Sequence, residues 1–401
     1  MYRHAQPRHE DPRPVACLSA NTTWYVVNFR SRLIASLIEQ GWRVVVLSPP
    51  DRHVSRLIAC GAEHVPLEMD NAGTNPLREL RTLWSIRRAL KQIAPSVVLT
   101  FTPKVNIYLS MAARSLRVPV IANISGLGRG FESRGWLQRV SQVLYRTALK
   151  WPSTVFFQNE EDRTHFIAAG LVRASRTQRL PGSGVDVQRF SPRPKPAPGP
   201  FRFLLVARLL WAKGVGEFIE AARVVKTQHP DVEFALAGFV DEGNDAAVPR
   251  ATIEAWEQEG LVKFLGSFDD MVPVYAQADC VVLPSYYREG VPRSLLEAAS
   301  MGKPIITTDS VGCKDTVENG VTGWLVKPRD AQHLAQAMLR AVHSSGAEIE
   351  QVGRRARLRT LAQFDEQIVL DAYGEALRSM MIDWASPDAL PEPIRPFLKN
   401  A

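Results

Sequence analysis

The 401-residue chain has little cysteine: Cys17, Cys60, Cys280 and Cys313 lie far apart, with no Cys-x-x-Cys and no histidine at metal-ligand spacing. That pattern speaks against a zinc knuckle and a disulfide framework, and leaves reduced thiols in a cytosolic protein as the expectation. No run of 18 apolar residues occurs, so no membrane-crossing helix is expected. The opening stretch, Met1 to Glu10, lacks the apolar core of a secretory signal, and residues 1–13 read as a disordered leader. A Gly-x-Gly-x-x-Gly turn followed by an acid is also missing. Gly126-Leu127-Gly128-Arg129-Gly130 departs from that pattern, so a nicotinamide cofactor is not expected. A loop at the mouth of a binding site and a plain turn both fit this segment. Basic strands interleaved with aromatics, a helix-turn-helix pattern and zinc-finger spacing are absent, which argues against nucleic acid as a partner.

What is present is an ordinary globular balance, with 45% apolar and 22% charged residues. The length suggests two or three domains. The charge is uneven. Of a net +8, residues 1–200 contribute +15 and residues 201–401 contribute −7. A basic half beside an acidic half points to an anionic surface or substrate on one side only, and an anionic membrane surface fits. Within the basic half, residues 134–151 mix four spaced cations with Leu137, Val140, Leu144 and Tyr145, which share a face at helical spacing. Arg78, Arg81, Arg87, Arg88 and Lys91 add charge on a second helix. The same pattern also describes a helix packed on its own sheet.

Apolar runs of four to six residues alternate with helical patterns along both halves. Strands are expected near 14–19, 43–48, 63–67, 96–101, 118–122 and 154–157. A second set is expected near 201–207, 232–237, 261–265, 280–284, 304–308 and 323–326. Helices are expected between them, the first over 28–39, and at the end over 330–343 and 348–382. Such βα alternation implies parallel sheets with right-handed crossovers. Residues 191–200, Ser-Pro-Arg-Pro-Lys-Pro-Ala-Pro-Gly-Pro, form a stiff extended linker and are read as the domain boundary.

The most telling residues lie in the second half. Glu289 sits on the loop after the apolar run Cys280-Val281-Val282-Leu283, and Glu297 lies in a helix that starts near Pro292 and stops before Gly302-Lys303-Pro304. Both carboxylates therefore belong at the carboxyl edge of a parallel sheet, where open α/β sheets bind ligands. Gly290-Val291 bring backbone N–H groups and a helix start to the same place, which suits a diphosphate. Upstream, Arg208 and Lys213 follow the strand Phe201 to Ala207, and Gly214 opens a helix. Arg as a fork and Lys as a point charge are well placed to hold a diphosphate. Two surface glutamates and a solvated basic loop are the plainer alternatives.

Arg208, Lys213-Gly214 and the Glu289/Glu297 pair resemble the donor site of the retaining glycosyltransferases of family 4. The resemblance runs from about residue 15 to about residue 375 and includes Gly182 to Pro192. The segments Thr102 to Tyr108 and Ile124 to Phe131 resemble a narrower group that adds a sugar to a polyprenyl-diphosphate-linked acceptor in bacterial surface-polysaccharide assembly. The resemblance implies an α/β fold with two Rossmann-like parallel-sheet domains facing a cleft, of the GT-B type. The domains are then 14–190, facing acceptor and membrane; 201–363, binding the donor; and 364–401, a C-terminal helix, crossing back onto the first domain, and tail.

The implied reaction moves a sugar from a nucleotide-diphosphate donor, a UDP-sugar, with retention at the anomeric carbon. Arg208 and Lys213 hold the departing diphosphate, Glu289 contacts the sugar, and Glu297 accepts from ribose hydroxyls. Gly238, Gly290 and Val291 complete the donor set. Asn28, Arg30, Lys104, Gly126 and Arg129 are the acceptor candidates. Asn28 and Arg30 are equally a helix N-cap and a surface charge, and Lys104 a surface lysine. Thr102 stands where many family members carry a histidine. No Asp-x-Asp occurs, so no metal and no cofactor are expected, the cations and helix-end amides replacing a metal's charge. The implied location is the cytoplasm, at the inner face of the plasma membrane. A nucleotide-sugar 2-epimerase of similar architecture and a non-catalytic nucleotide-sugar-binding protein stay open as alternatives.

Overall fold

The computed structural model describes residues 11–69, 76–126, 136–196 and 199–383. The chain divides into two units, residues 1–180 with 369–401, and residues 181–368.

In the first unit, seven strands form one sheet: β1 (Val15–Ser19), β2 (Arg43–Ser48), β3 (Glu63–Pro66), β4 (Val97–Thr100), β5 (Val120–Ile124), β6 (Thr154–Phe157) and β7 (Thr177–Arg179). Their order is β3-β2-β1-β4-β5-β6-β7, and every pairing is parallel. β1 and β5 are buried along their whole length. Strands covered on both faces read as continuous apolar runs rather than alternating ones, which is why they were visible in the sequence.

The second unit repeats the plan with β8 (Arg202–Val206), β9 (Glu233–Ala237), β10 (Lys263–Phe264), β11 (Cys280–Leu283), β12 (Ile305–Thr308) and β13 (Gly323–Val326), in the order β10-β9-β8-β11-β12-β13. In each unit the order reverses between the first and fourth strands, β1/β4 and β8/β11. Those switch points leave a crevice at the carboxyl ends of the strands.

Three expectations change. The proline-rich stretch 191–200 is not the boundary between units, which falls at Leu180/Pro181. The reason is burial: Val185, Val187 and Phe190 pack with Leu204, Tyr275 and Leu296 in the core of the second unit. Next, the expected single helix 348–382 is two, Gly346–Gln363 and Glu366–Asp383. Between them Phe364 is buried, and Val185 N donates to Phe364 O at 2.9 Å while Glu366 N donates to Val185 O at 3.0 Å. These bonds take the backbone groups a continuous helix would need. Finally, β7 had no expected counterpart; it is three residues long and mostly exposed.

The last helix belongs to the first unit from Val369 onward. Val369, Ala372, Tyr373, Ala376, Leu377 and Met380 pack against Leu18, Leu99, Phe101 and Phe156. Asn123 Nδ2 donates to the Tyr373 hydroxyl at 2.9 Å, so the one polar group on that buried face is satisfied. All four cysteines are free, and three are buried. Among the described residues no helix is long and apolar enough to cross a membrane.

Candidate active site

The loop after β8 is pinned before it reaches its cations. Leu209 N donates to Phe239 O at 3.1 Å and Val248 N to Leu209 O at 2.8 Å, and Leu209 itself is fully buried. A single turn, Trp211–Lys213, then leads into Gly214 at φ +77° and the helix Val215–Gln228. A Cβ on Gly214 would sit 2.2 Å from Pro284 O. This close approach seats the β8 loop against the β11 loop. Two more bonds join them: Tyr286 N and Tyr287 N both donate to Ala212 O, at 3.1 and 3.3 Å.

The result is an ion pair across the switch point. Lys213 Nζ lies 2.5 Å from Glu289 Oε2, with the two side chains 12% and 13% exposed. Ser285 Oγ donates to Glu289 Oε1 at 2.7 Å. The Lys213 ammonium also faces the Tyr287 ring, 5.9 Å from its centroid. Arg208 differs. It is exposed, and its guanidinium has no partner among the described residues. A guanidinium fork and an ammonium on one strand-to-helix loop are groups whose chemistry suits an anion.

Glu297 is held by other residues. Tyr275 Oη donates to its Oε2 at 3.0 Å and Arg293 Nε to its Oε1 at 3.0 Å. Burial raises its pKa above the usual carboxylate range, against the pull of Arg293 and the Tyr275 hydrogen bond. Its partner Tyr275, fully buried, is pushed up as well. A raised folded-state value means a stability contribution that is fully present below the ordinary value and lost as pH rises through the raised one. Wild type should therefore lose stability relative to Glu297→Gln as pH rises above the ordinary carboxylate value of about 4, read by urea unfolding at a series of pH values. A constant difference would contradict the raised value.

Gly290-Val291 lead into the helix Arg293–Ser300, whose N-cap, Pro292, offers no side-chain acceptor to the first turn. Val291 is buried in the core, and Gly290 O packs so closely on Gly312 that a Cβ there would lie 2.0 Å away. Gly238 ends β9 at φ +150°, where a Cβ would meet Ala207 O at 1.8 Å. Among the described residues, no group of three or more His, Cys, Asp or Glu side chains is arranged to hold a metal ion.

The acceptor candidates fare differently. The first helix is Thr23–Glu39, five residues longer at its start than expected, because Thr22 caps it by accepting from Tyr25 N at 3.1 Å. Asn28 is thus inside the helix and no cap, and donates to Trp24 O at 2.9 Å. Arg30 is neither a surface charge nor open to a ligand: it is 2% exposed, with its guanidinium 4.5 Å from the Phe101 ring centroid. Lys104 pairs with Glu79 at 2.7 Å. Thr102, 6% exposed, accepts from Asn21 N at 3.1 Å and so ties the β1 and β4 loops together. Gly126 is at φ +145°, and Arg129 lies outside the described residues. Sequence reasoning missed Tyr275, Arg293 and Ser285. Arg293 stands one helical turn before Glu297, an i,i+4 spacing that could have flagged it. Tyr275 comes from a separate short helix, Val272–Ala276, and gives no local signal.

Two parallel-sheet units of this strand order, the second carrying cations and carboxylates at its switch point, define a glycosyltransferase of the two-Rossmann-domain (GT-B) class. Residues 26–183 match the glycosyl transferase 4-like domain and residues 186–359 match glycosyl transferases group 1. The chain belongs to the glycosyltransferases built from these two domains. It is 26% identical over 365 residues to the Campylobacter jejuni N,N'-diacetylbacillosaminyl-diphospho-undecaprenol alpha-1,3-N-acetylgalactosaminyltransferase, covering 87% of this chain and 94% of that one. It is 34% identical over 205 residues to the putative colanic acid biosynthesis glycosyltransferase WcaL of Escherichia coli, about half of each chain (49% and 50%). Among solved structures, Anabaena Alr3699/HepE in complex with UDP and glucose superposes with a TM-score of 0.73 at 21% identity, over 92% of this chain and 100% of that one. A Rickettsia africae glycosyltransferase gives the same TM-score at 17% identity, over 92% and 99%.

Proposed function

We propose that this glycosyltransferase moves a sugar from a UDP-sugar to a saccharide carried on a polyprenyl diphosphate, with retention at the anomeric carbon. The observation that carries the proposal is the switch point of the second sheet. There the exposed Arg208, the Lys213–Glu289 pair and Glu297 occupy neighbouring loops and one helix. The activity of the Campylobacter relative supports the lipid-diphosphate acceptor, and the UDP complexes of the Anabaena protein support the donor.

In this reading Arg208 and Lys213 bind the diphosphate and favour the charge that grows on it as the anomeric carbon–oxygen bond breaks. Glu289, released from Lys213, accepts from sugar hydroxyls. Glu297, held by Tyr275 and Arg293, accepts from the ribose. The acceptor hydroxyl attacks from the face the diphosphate leaves, and its proton passes to the leaving phosphate oxygen. Charge on the leaving group is met by side chains and helix-end amides, so the reaction should survive EDTA and give an α-linked product from an α-linked donor. Anomeric proton couplings by NMR, with and without chelator, test this. A β-linked product, or activity lost in EDTA and restored by manganese, would contradict it.

The first unit is assigned the membrane. On the helix Pro76–Ile93, Leu77, Leu80 and Trp84 lie at i, i+3 and i+7 and are 72%, 65% and 64% exposed. Arg78, Arg81, Arg87, Arg88 and Lys91 share the helix. An exposed apolar stripe among cations suits the interface of an anionic bilayer. The helix Trp136–Ala148 contributes less than the sequence suggested: Tyr145 is buried in the core and Leu144 packs against it, while Val140 and Val143 stay exposed. Flotation should recover the protein with anionic and not neutral vesicles, and Leu80→Asp with Trp84→Asp should abolish recovery. Equal recovery with both vesicle types would remove the electrostatic part.

A further inference from the structure

Beside the candidate active site the second unit carries a recess of about 370 Å³, lined by Trp211, Glu217, Glu220, Trp256, Tyr286 and Arg329. Its size falls within the range of small-molecule sites, about 300–1,000 Å³. It contains none of Arg208, Lys213, Glu289 or Glu297, yet it shares two loops with them. Trp211 opens the turn that ends at Lys213, and Tyr286 N is bonded to Ala212 O.

The recess is built rather than incidental. Trp211 is 38% exposed and meets Trp256 edge-on, with ring centroids 6.1 Å apart at 88°. Neither indole N–H has a partner among the described residues. Opposite them, Arg329 adopts φ +58°, a left-handed conformation uncommon for a side-chain-bearing residue, and lays its guanidinium 4.3 Å from the centroid of the Tyr286 ring. Glu217 and Glu220 lie one turn apart on the helix Val215–Gln228. Glu220 pairs with Arg223, whereas the Glu217 carboxylate has no partner among the described residues.

Indole faces take the C–H face of a pyranose, indole N–H groups donate, and carboxylates only accept. Hydroxyl and acetamido groups supply the matching acceptors and donors. Two carboxylates disfavour an acidic sugar, and Arg329 already covers the Tyr286 face that an ammonium ligand would use. We propose that this recess is a second carbohydrate subsite, which holds a neutral N-acetylated pyranose of a saccharide substrate or product beside the donor site. The proposal rests on the reading of the chain as a transferase that handles saccharides.

The test is titration of the full chain with N,N'-diacetylchitobiose, followed by tryptophan fluorescence and saturation-transfer NMR, with and without saturating UDP. Wild type should bind the disaccharide equally in both conditions. Trp256→Ala should weaken it about tenfold, Glu217→Gln should weaken it as well, and UDP affinity should be unchanged in both variants. UDP binding without disaccharide binding would overturn the subsite alone. Displacement of the disaccharide by UDP would place the probe in the donor site and overturn it too, as would tighter binding of sialic acid or tetramethylammonium. Failure of UDP binding itself is a separate result and counts against the donor-site reading.

Discussion

Lys213→Ala should lower kcat/KM for sugar transfer by about 10² or more and should also lower the melting temperature. The catalytic loss follows from removing one preorganised positive charge from a site that must favour a departing diphosphate, where a single such contact is typically worth 10²–10³ in rate. The stability loss follows from the ion pair. Lys213 and Glu289 are 2.5 Å apart and about one-eighth exposed. Deleting the ammonium leaves a largely buried carboxylate short of its cation, at a cost of roughly 1–3 kcal/mol. Arg208→Ala should match the first effect and not the second, because the Arg208 guanidinium is exposed and has no partner among the described residues. The contrast separates binding of an incoming anion from support of the fold. Steady-state rates and thermal unfolding of the two variants measure it. Two variants with near-normal rates would place the diphosphate elsewhere.

Gly214→Ala should be nearly as damaging, by a different route. The added Cβ would lie 2.2 Å from Pro284 O, and the backbone is at φ +77°. The left-handed conformation costs about 1–2 kcal/mol for an alanine, and the overlap with a backbone oxygen cannot be relieved by rotating a side chain. The two loops must part. Lys213 and Ser285 then lose the positions from which they reach Glu289, so activity should fall by about 10² alongside the loss of stability. Gly243→Ala is the control, since nothing lies within 4 Å of its would-be Cβ and its φ is not in the left-handed range. Equal behaviour of the two variants would show that the seating of the loops is not what positions the pair.

The sequence made the strands legible because parallel strands buried on both faces are written as unbroken apolar runs; Val15–Ser19 and Cys280–Leu283 are examples. The residues proposed for the donor site could be placed because strand, loop and helix follow one another within a few residues, so Arg208, Lys213 and Glu289 fall on the loops after their strands by counting alone. What lay hidden depends on contacts between distant segments. Proline density at 191–200 marks an extended stretch, whereas the unit boundary is set by where Val185 and Phe190 are buried. Arg30 looked like a surface cation because charge predicts exposure; the rings of Tyr25 and Phe101, brought together by tertiary packing, cover it. The break at Phe364 depends on hydrogen bonds to Val185, far upstream. Tyr275 reaches Glu297 from another element and follows no short-range pattern.

The most direct measurement is mass spectrometry of the purified chain incubated with a panel of nucleotide sugars and polyprenyl-diphosphate-linked saccharides. The expected result is a gain of one sugar on a lipid-linked saccharide with stoichiometric release of UDP, formed about 10² more slowly by Lys213→Ala. Release of an isomerised nucleotide sugar without acceptor, or no lipid-linked product with any donor, would contradict it.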